Sequence, residues 1–108
     1  MPDFDSAFRA LADPTRRRII ELVAHRGMTA GDIASHFRTT RPAVSQHLTV
    51  LRNAELLSER REGRTRIYQA NPKTVDEVVQ HLQSFWSGRL QVLKRQAERE
   101  ERQQRDRQ

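Results

Sequence analysis

Seven arginines and no lysine lie between residues 38 and 66 (Arg38, Arg41, Arg52, Arg60, Arg61, Arg64 and Arg66), against only three acids, Glu55, Glu59 and Glu62. A guanidinium presents a rigid planar fork of donors that matches phosphate oxygens or the O6/N7 edge of guanine, so the segment suits nucleic acid better than catalysis. The remainder is nearly balanced: residues 1–37 and 67–93 are each neutral and 94–108 carry +2, so most of the net charge of +6 sits in the middle of the chain. Within that segment the run Thr40-Arg41-Pro42-Ala43-Val44-Ser45-Gln46-His47-Leu48-Thr49 carries polar side chains of the kind that read base edges. Gln46 can bridge adenine N6 and N7, Arg41 can take guanine or a phosphate, and Ser45 pairs with almost any edge.

Other chemistry is sparse. With no cysteine there is no disulfide, no thiolate metal site and no cysteine nucleophile. Neither a glycine-rich phosphate loop nor a Gly-x-Ser-x-Gly elbow occurs, so no enzymatic activity and no cofactor are expected. His25, His36, His47 and His81 fall on different elements, and each reads as an ordinary histidine; no metal is expected. No run of hydrophobic residues exceeds three, far below the ~20 of a membrane span. With an acidic start that lacks a signal pattern, a cytoplasmic protein without a membrane partner is expected.

These side chains need positioning elements, and the apolar spacing supplies them. Phe4, Ala7, Phe8 and Leu11 give a short helix over 4–12. Asp13-Pro14 caps a second, carried by Ile19, Ile20, Leu22 and Val23 to about His25 and closed near Gly27. Thr29 precedes a third of about two turns, with Ile33, Ala34 and Phe37 inward. Thr40 caps a fourth over 41–53 with Val44, Leu48 and Leu51 inward; only Arg38-Thr39-Thr40 separates it from the third, the length of a helix-turn-helix connection. From Leu56-Leu57 the pattern becomes a hairpin. A three-residue loop, Arg61-Glu62-Gly63, confines the left-handed position to glycine and sets Leu57 opposite Ile67 and Leu56 opposite Tyr68. From Thr74 helical spacing resumes through Val75, Val78, Val79, Leu82, Phe85, Trp86, Leu90, Leu93 and Ala97.

This order is that of a winged helix-turn-helix, mainly α with one small hairpin (α1-α2-α3-α4-β1-β2-α5). The helix over 41–53 opposes its apolar stripe with Arg41, Pro42, Ser45, Gln46 and Thr49, the candidate base readers, while Thr40 at its start would meet phosphate. His47, beside the stripe, reads as a packed or helix-bracing residue rather than a base reader. Of Arg60, Arg61, Arg64 and Arg66 on the hairpin, alternation forbids all four facing one partner; Arg61 and Arg64 rank first, and Arg66 is free to pair with Glu55 or Glu59. Arg16, Arg17 and Arg18 fan over about 200° of their helix and cannot share one partner.

The segments LADPTRRRIIELV, TAGDIASHF, TTRPAVSQHLTVLRNAELL and ERREGRTRIYQAN together resemble the ArsR family of transcriptional regulators, from about Phe4 to Leu93. TRPAVSQHL and a last helix with Phe-Trp and Arg-Leu look most like members without a metal site. The resemblance implies a repressor that binds an inverted-repeat operator as a homodimer, with wing arginines on phosphates or the minor groove. It also implies dimerisation through the two end helices, which would use Phe4, Phe8 and Leu11 with Leu82, Phe85, Trp86, Leu90 and Leu93. Two features depart from the family: the Asp-x-His set with a distal histidine is absent, and Glu55 stands where relatives usually carry glycine. The hydrophobic fraction of 35% is low beside the 45–50% typical of globular domains, which also favours self-association. Residues 1–97 read as one DNA-binding and dimerisation domain and 98–108 as a charged tail, frayed helix or disordered. A winged-helix module that binds an acidic protein, and a repressor gated by a small organic ligand of unknown identity, remain alternatives.

Overall fold

A computed structural model describes residues 3–107. The elements in chain order are α1 (Phe4–Leu11), α2 (Pro14–Leu22), α3 (Ala30–Ala34), α4 (Arg41–Asn53), β1 (Leu57–Glu62), β2 (Thr65–Ala70) and α5 (Pro72–Asp106). By its internal contacts the chain divides into one unit up to Val78 and another from Val79 onward.

In the first unit α1, α2, α3 and α4 each begin where a side-chain oxygen satisfies open amides. Asp3 accepts from the amides of Asp5 and Ser6, Asp13 from Thr15 and Arg16, Thr29 from Asp32, and Thr40 from Ala43. The helices bury Ala7, Ala10, Ile19, Ile33, Val44, Leu48 and Leu51, joined in one cluster by Val23, Leu56 and Val78. The isoleucines, leucines and valines among them are each worth roughly 1.5–3 kcal/mol on full burial. Phe4, Phe8 and Leu11 are half-buried and pack against this core.

Four boundaries differ from the sequence reading, the slightest being α1, which ends at Leu11 with Ala12 as its C-cap. α2 ends at Leu22, with Val23 as its C-cap. α3 stops at Ala34 because the Ser35 hydroxyl donates to the Asp32 carbonyl and the amides of His36 and Phe37 fall back on residues three before them. The connection to α4 is therefore residues 35–40 rather than three residues. α5 begins at Pro72, two residues earlier than the apolar spacing suggests.

The hairpin register is also corrected. β1 and β2 pair antiparallel with Glu62 opposite Thr65, Arg61 opposite Arg66, Arg60 opposite Ile67, Glu59 opposite Tyr68 and Leu57 opposite Ala70. The turn is two residues, Gly63-Arg64, with Gly63 at φ 64° and Arg64 not in the positive region, the pattern of a type II′ turn. Only the carbonyl of Leu56 meets the ribbon, accepting from the Asn71 amide at 2.9 Å; its amide does not. That amide closes α4 instead: it donates to Leu51 O (3.0 Å) and that of Glu55 to Arg52 O (2.9 Å), a Schellman motif with both leucines buried. β2 gains a second partner, because Met28 and Tyr68 exchange backbone hydrogen bonds of 2.9 and 2.8 Å. Gly27 beside it leaves no room for a Cβ, which would overlap Ile67 Cγ2. The wing is thus fixed to the helical body along its base.

In the second unit α5 continues as one helix through Ala97 to Asp106, with every described residue exposed. Its large apolar groups are among them: Leu82, Phe85, Trp86, Leu90, Val92 and Leu93 are 41–57% exposed. The Phe85 and Trp86 rings meet edge to face at 5.7 Å, and Arg89 lies over Phe85 at 4.4 Å. Among the described residues no helix is long and apolar enough to cross a membrane.

Candidate nucleic-acid interface

On α4 the buried row Val44, Leu48 and Leu51 fixes which side faces outward. Arg41, Pro42, Ser45, Gln46 and Thr49 are all exposed, and Ser45, Gln46 and Thr49 border a shallow hollow of about 460 Å³ together with Val50. Gln46 keeps both amide groups available for a bidentate contact. The Thr49 hydroxyl donates to Ser45 O at 3.0 Å, so what Thr49 offers outward is chiefly its methyl group. Val50, 40% exposed, was missed by the sequence reading, which sought polar side chains on the outer face; an apolar residue just off the buried row was the available signal. Thr40 caps α4 through its hydroxyl oxygen (3.2 Å to the Ala43 amide) and still has its proton to donate.

The wing arginines are placed differently from one another. Arg60 is drawn along the ribbon by Glu62 Oε1 (3.1 Å) and Gln69 Oε1 (2.9 Å), on the face that packs towards Gly27. Arg61 and Arg66 sit opposite each other, an unfavourable like-charge pair relieved by Glu59, whose carboxylate meets Arg66 Nε at 3.4 Å and Arg52 at 2.7 Å. Arg64 stands at the turn, exposed and without a carboxylate partner among the described residues. Arg41, Arg64 and Arg66, with Thr29 and Tyr68, line a hollow of about 380 Å³ between the start of α4 and the wing.

The other arginine cluster has structural work. Arg16 donates to Ala10 O (2.6 Å) and Arg9 O (3.0 Å), and Arg17 to Leu11 O (2.8 Å) and Ala12 O (3.1 Å), closing the open carbonyls of α1. Arg18 pairs with Glu21. Arg16 also reaches His47 Nδ1 at 3.4 Å, which makes His47 a brace between α2 and α4. Asp13, capping α2, is the one group among the described residues whose acidity clearly moves. The Arg16 amide holds its carboxyl below the ordinary value of 3.8, against some desolvation, with the Thr15 amide adding to the effect.

A tri-helical body, a solvent-facing second helix of a helix-turn-helix and an arginine-bearing two-stranded wing define a winged helix-turn-helix DNA-binding regulator. The description of bacterial regulatory proteins of the arsR family matches residues 13–59. The chain is 38% identical over 81 residues to the transcriptional repressor SdpR of Bacillus subtilis (strain 168), covering 75% of this chain and 90% of that protein. It is 43% identical over 86 residues to the HTH-type transcriptional regulator Rv2034 of Mycobacterium tuberculosis (strain ATCC 25618 / H37Rv), covering 80% of each. Among solved structures, a possible transcriptional regulator for arsenical resistance superimposes with a TM-score of 0.70 at 36% identity, over 82% of this chain and 92% of that one. The chain belongs to the arsR family of bacterial regulatory proteins.

Proposed function

We propose that the protein is a homodimeric transcriptional repressor that places α4 in the major groove of each half of an inverted-repeat operator. The single observation that carries this is the outward row Ser45, Gln46, Thr49 and Val50 on a helix anchored by Val44, Leu48 and Leu51. SdpR is itself a transcriptional repressor, and a regulator of this design acts where the DNA is, in the cytoplasm. The exposed apolar groups of α5, led by Phe85, Trp86 and Leu90, suit the dimer interface, with Phe4, Phe8 and Leu11 of α1 as its other candidates. Two recognition helices related by a two-fold axis then meet half-sites separated by one or more turns of ~34–36 Å. Residues 98–106 lie outside this working part. No metal is needed for binding or release: zinc, cadmium or arsenite at stoichiometric concentration leaves operator affinity unchanged.

The test starts with DNA selected from a random pool by the purified protein, which should yield an inverted repeat. On that operator Gln46→Ala should cost on the order of 1–3 kcal/mol per half-site while scarcely changing affinity for scrambled DNA. Arg64→Ala should weaken both duplexes alike and flatten the salt dependence. Selection of no common sequence, or an equal loss on both duplexes for Gln46→Ala, would remove the reading.

A further inference from the structure

Arg41 is the first residue of α4, where a base-reading role and a phosphate-binding role are both open from sequence. Its guanidinium does not lie along the row of Ser45, Gln46 and Thr49. It turns towards α3 instead, with Nη2 3.9 Å and Cζ 4.0 Å from where a Cβ on Gly31 would stand. There it shares the hollow with Arg64 and Arg66 of the wing and the side chains of Thr29 and Tyr68, and no acidic residue lines that hollow. Its volume of about 380 Å³ is an order of magnitude above the ~30 Å³ share of one water in the liquid.

Arg41 and Arg64 have no hydrogen-bonded or ion-paired partner among the described residues, whereas Arg66 is already steadied by Glu59. Like charges gathered from two elements without an intervening carboxylate repel one another unless an anion joins them. The gap sits between the helix start and the wing, where a duplex engaged by α4 would run its backbone.

We propose that this hollow clamps one phosphodiester of the DNA backbone, with Arg41 as a phosphate ligand joined to Arg64 and Arg66 rather than a reader of bases. The inference rests on the DNA-binding reading above and adds to it a fixed register between recognition helix and wing. One phosphate held from both sides locks the angle at which α4 enters the groove, so that Gln46 meets the same base pair each time. The hydroxyls of Thr29 and Tyr68 supply neutral donors beside the three cations.

The experiment replaces single phosphates of the selected operator, one at a time, by neutral methylphosphonates and titrates the full-length protein. Wild type should lose affinity sharply at one position per half-site. Arg41→Ala and Arg64→Ala should each be indifferent at that same position while still sensitive elsewhere. Arg41→Ala should weaken operator and scrambled duplex by the same factor and reduce the slope of log K against log salt by about 0.9 per half-site. Arg41→Lys should restore most of the slope, because it keeps the charge. The neutral position lies in the DNA, so its effect does not depend on how any variant folds. Loss confined to the operator in Arg41→Ala, with a changed base preference, would make Arg41 a reader and overturn the clamp, as would indifference of the two variants at different phosphates. In both cases Gln46→Ala would still lower the specificity ratio, so the DNA-binding reading would survive; absence of any binding by wild type would sink both.

Discussion

Glu55 is the one non-glycine residue among those described with a positive φ, at 62°. The left-handed conformation costs an L-residue about 1–2 kcal/mol, and it is forced here because the amides of Glu55 and Leu56 must turn back onto Arg52 and Leu51. The Glu55 side chain is exposed, so nothing packed is lost by removing it. Glu55→Gly relieves that strain but loosens the unfolded chain by about 0.4–1 kcal/mol, so a net stabilisation of about 0.5–1 kcal/mol is expected in urea unfolding. An equal or lower midpoint would show that Glu55 is held by something beyond the turn. Asp13 gives the second residue-scale expectation. Its carboxyl is more acidic in the folded chain than in the unfolded one, so the unfolded state takes up the proton first as pH falls. Its stabilising contribution is complete above the unfolded value near 3.8 and disappears as pH drops through the lower folded value. Asp13→Asn keeps a good capping residue, should scarcely change stability at pH 7, and should make the acid limb of the stability profile shallower. Identical acid limbs for the two proteins would mean that Asp13 is not what titrates.

At the scale of elements, the proposed recognition surface of α4 combines the polar Ser45 and Gln46 with the apolar Val50. Val50 stands one turn beyond Gln46 on the outward side, 40% exposed, and an exposed branched methyl pair there matches the 5-methyl group of thymine. Val50→Ala should cost about 1 kcal/mol per half-site on the operator. Replacing one operator thymine by uracil should reproduce that loss in wild type and add nothing in the variant; indifference of wild type to every such replacement would assign Val50 elsewhere. The wing's own geometry was only partly legible. Gly63 marked the turn, but a glycine with positive φ fits both a three-residue loop ending on it and a two-residue turn beginning with it. The choice fell to Leu56, whose amide the end of α4 claims for the Leu51 carbonyl, leaving only its own carbonyl to the ribbon, where it meets Asn71. Shifting the register by an odd number of residues exchanges the faces, which is why Arg60 points along the body while Arg61 and Arg66 share the other side.

At the scale of the whole molecule, the second unit exposes the largest apolar side chains of the chain, Phe85 and Trp86 among them, on a helix that ends in charged residues. Exposed groups of this size need a partner surface. Trp86→Ala should weaken dimerisation, and DNA binding with it, by about 1.5–3 kcal/mol per chain before any cavity term, whereas truncation after Ala97 should leave the dimer intact because no residue from 98 to 106 has an apolar side chain to bury. Sedimentation of the two variants over a concentration series checks both expectations, and an unchanged dimer affinity in Trp86→Ala would place that ring outside the interface.

The sequence by itself determined the order of elements, the inward row Val44, Leu48 and Leu51, the capping residues Asp13, Thr29 and Thr40 and hence the outward position of Ser45 and Gln46. Those features follow from local periodicity and from hydrogen bonds between residues two or three apart, which neighbouring side chains dictate. Only the tertiary structure decided the pairing of Met28 with Tyr68, the use of the Leu56 amide to close α4, the use of Arg16 and Arg17 on the carbonyls of α1, and the turning of Arg41 towards the wing. Each of these joins groups that are several to some forty residues apart in the chain, and an arginine side chain reaches far enough to satisfy any of several partners. Which one it meets is settled by where packing of the core sets the backbone, and periodicity along the chain carries no record of that.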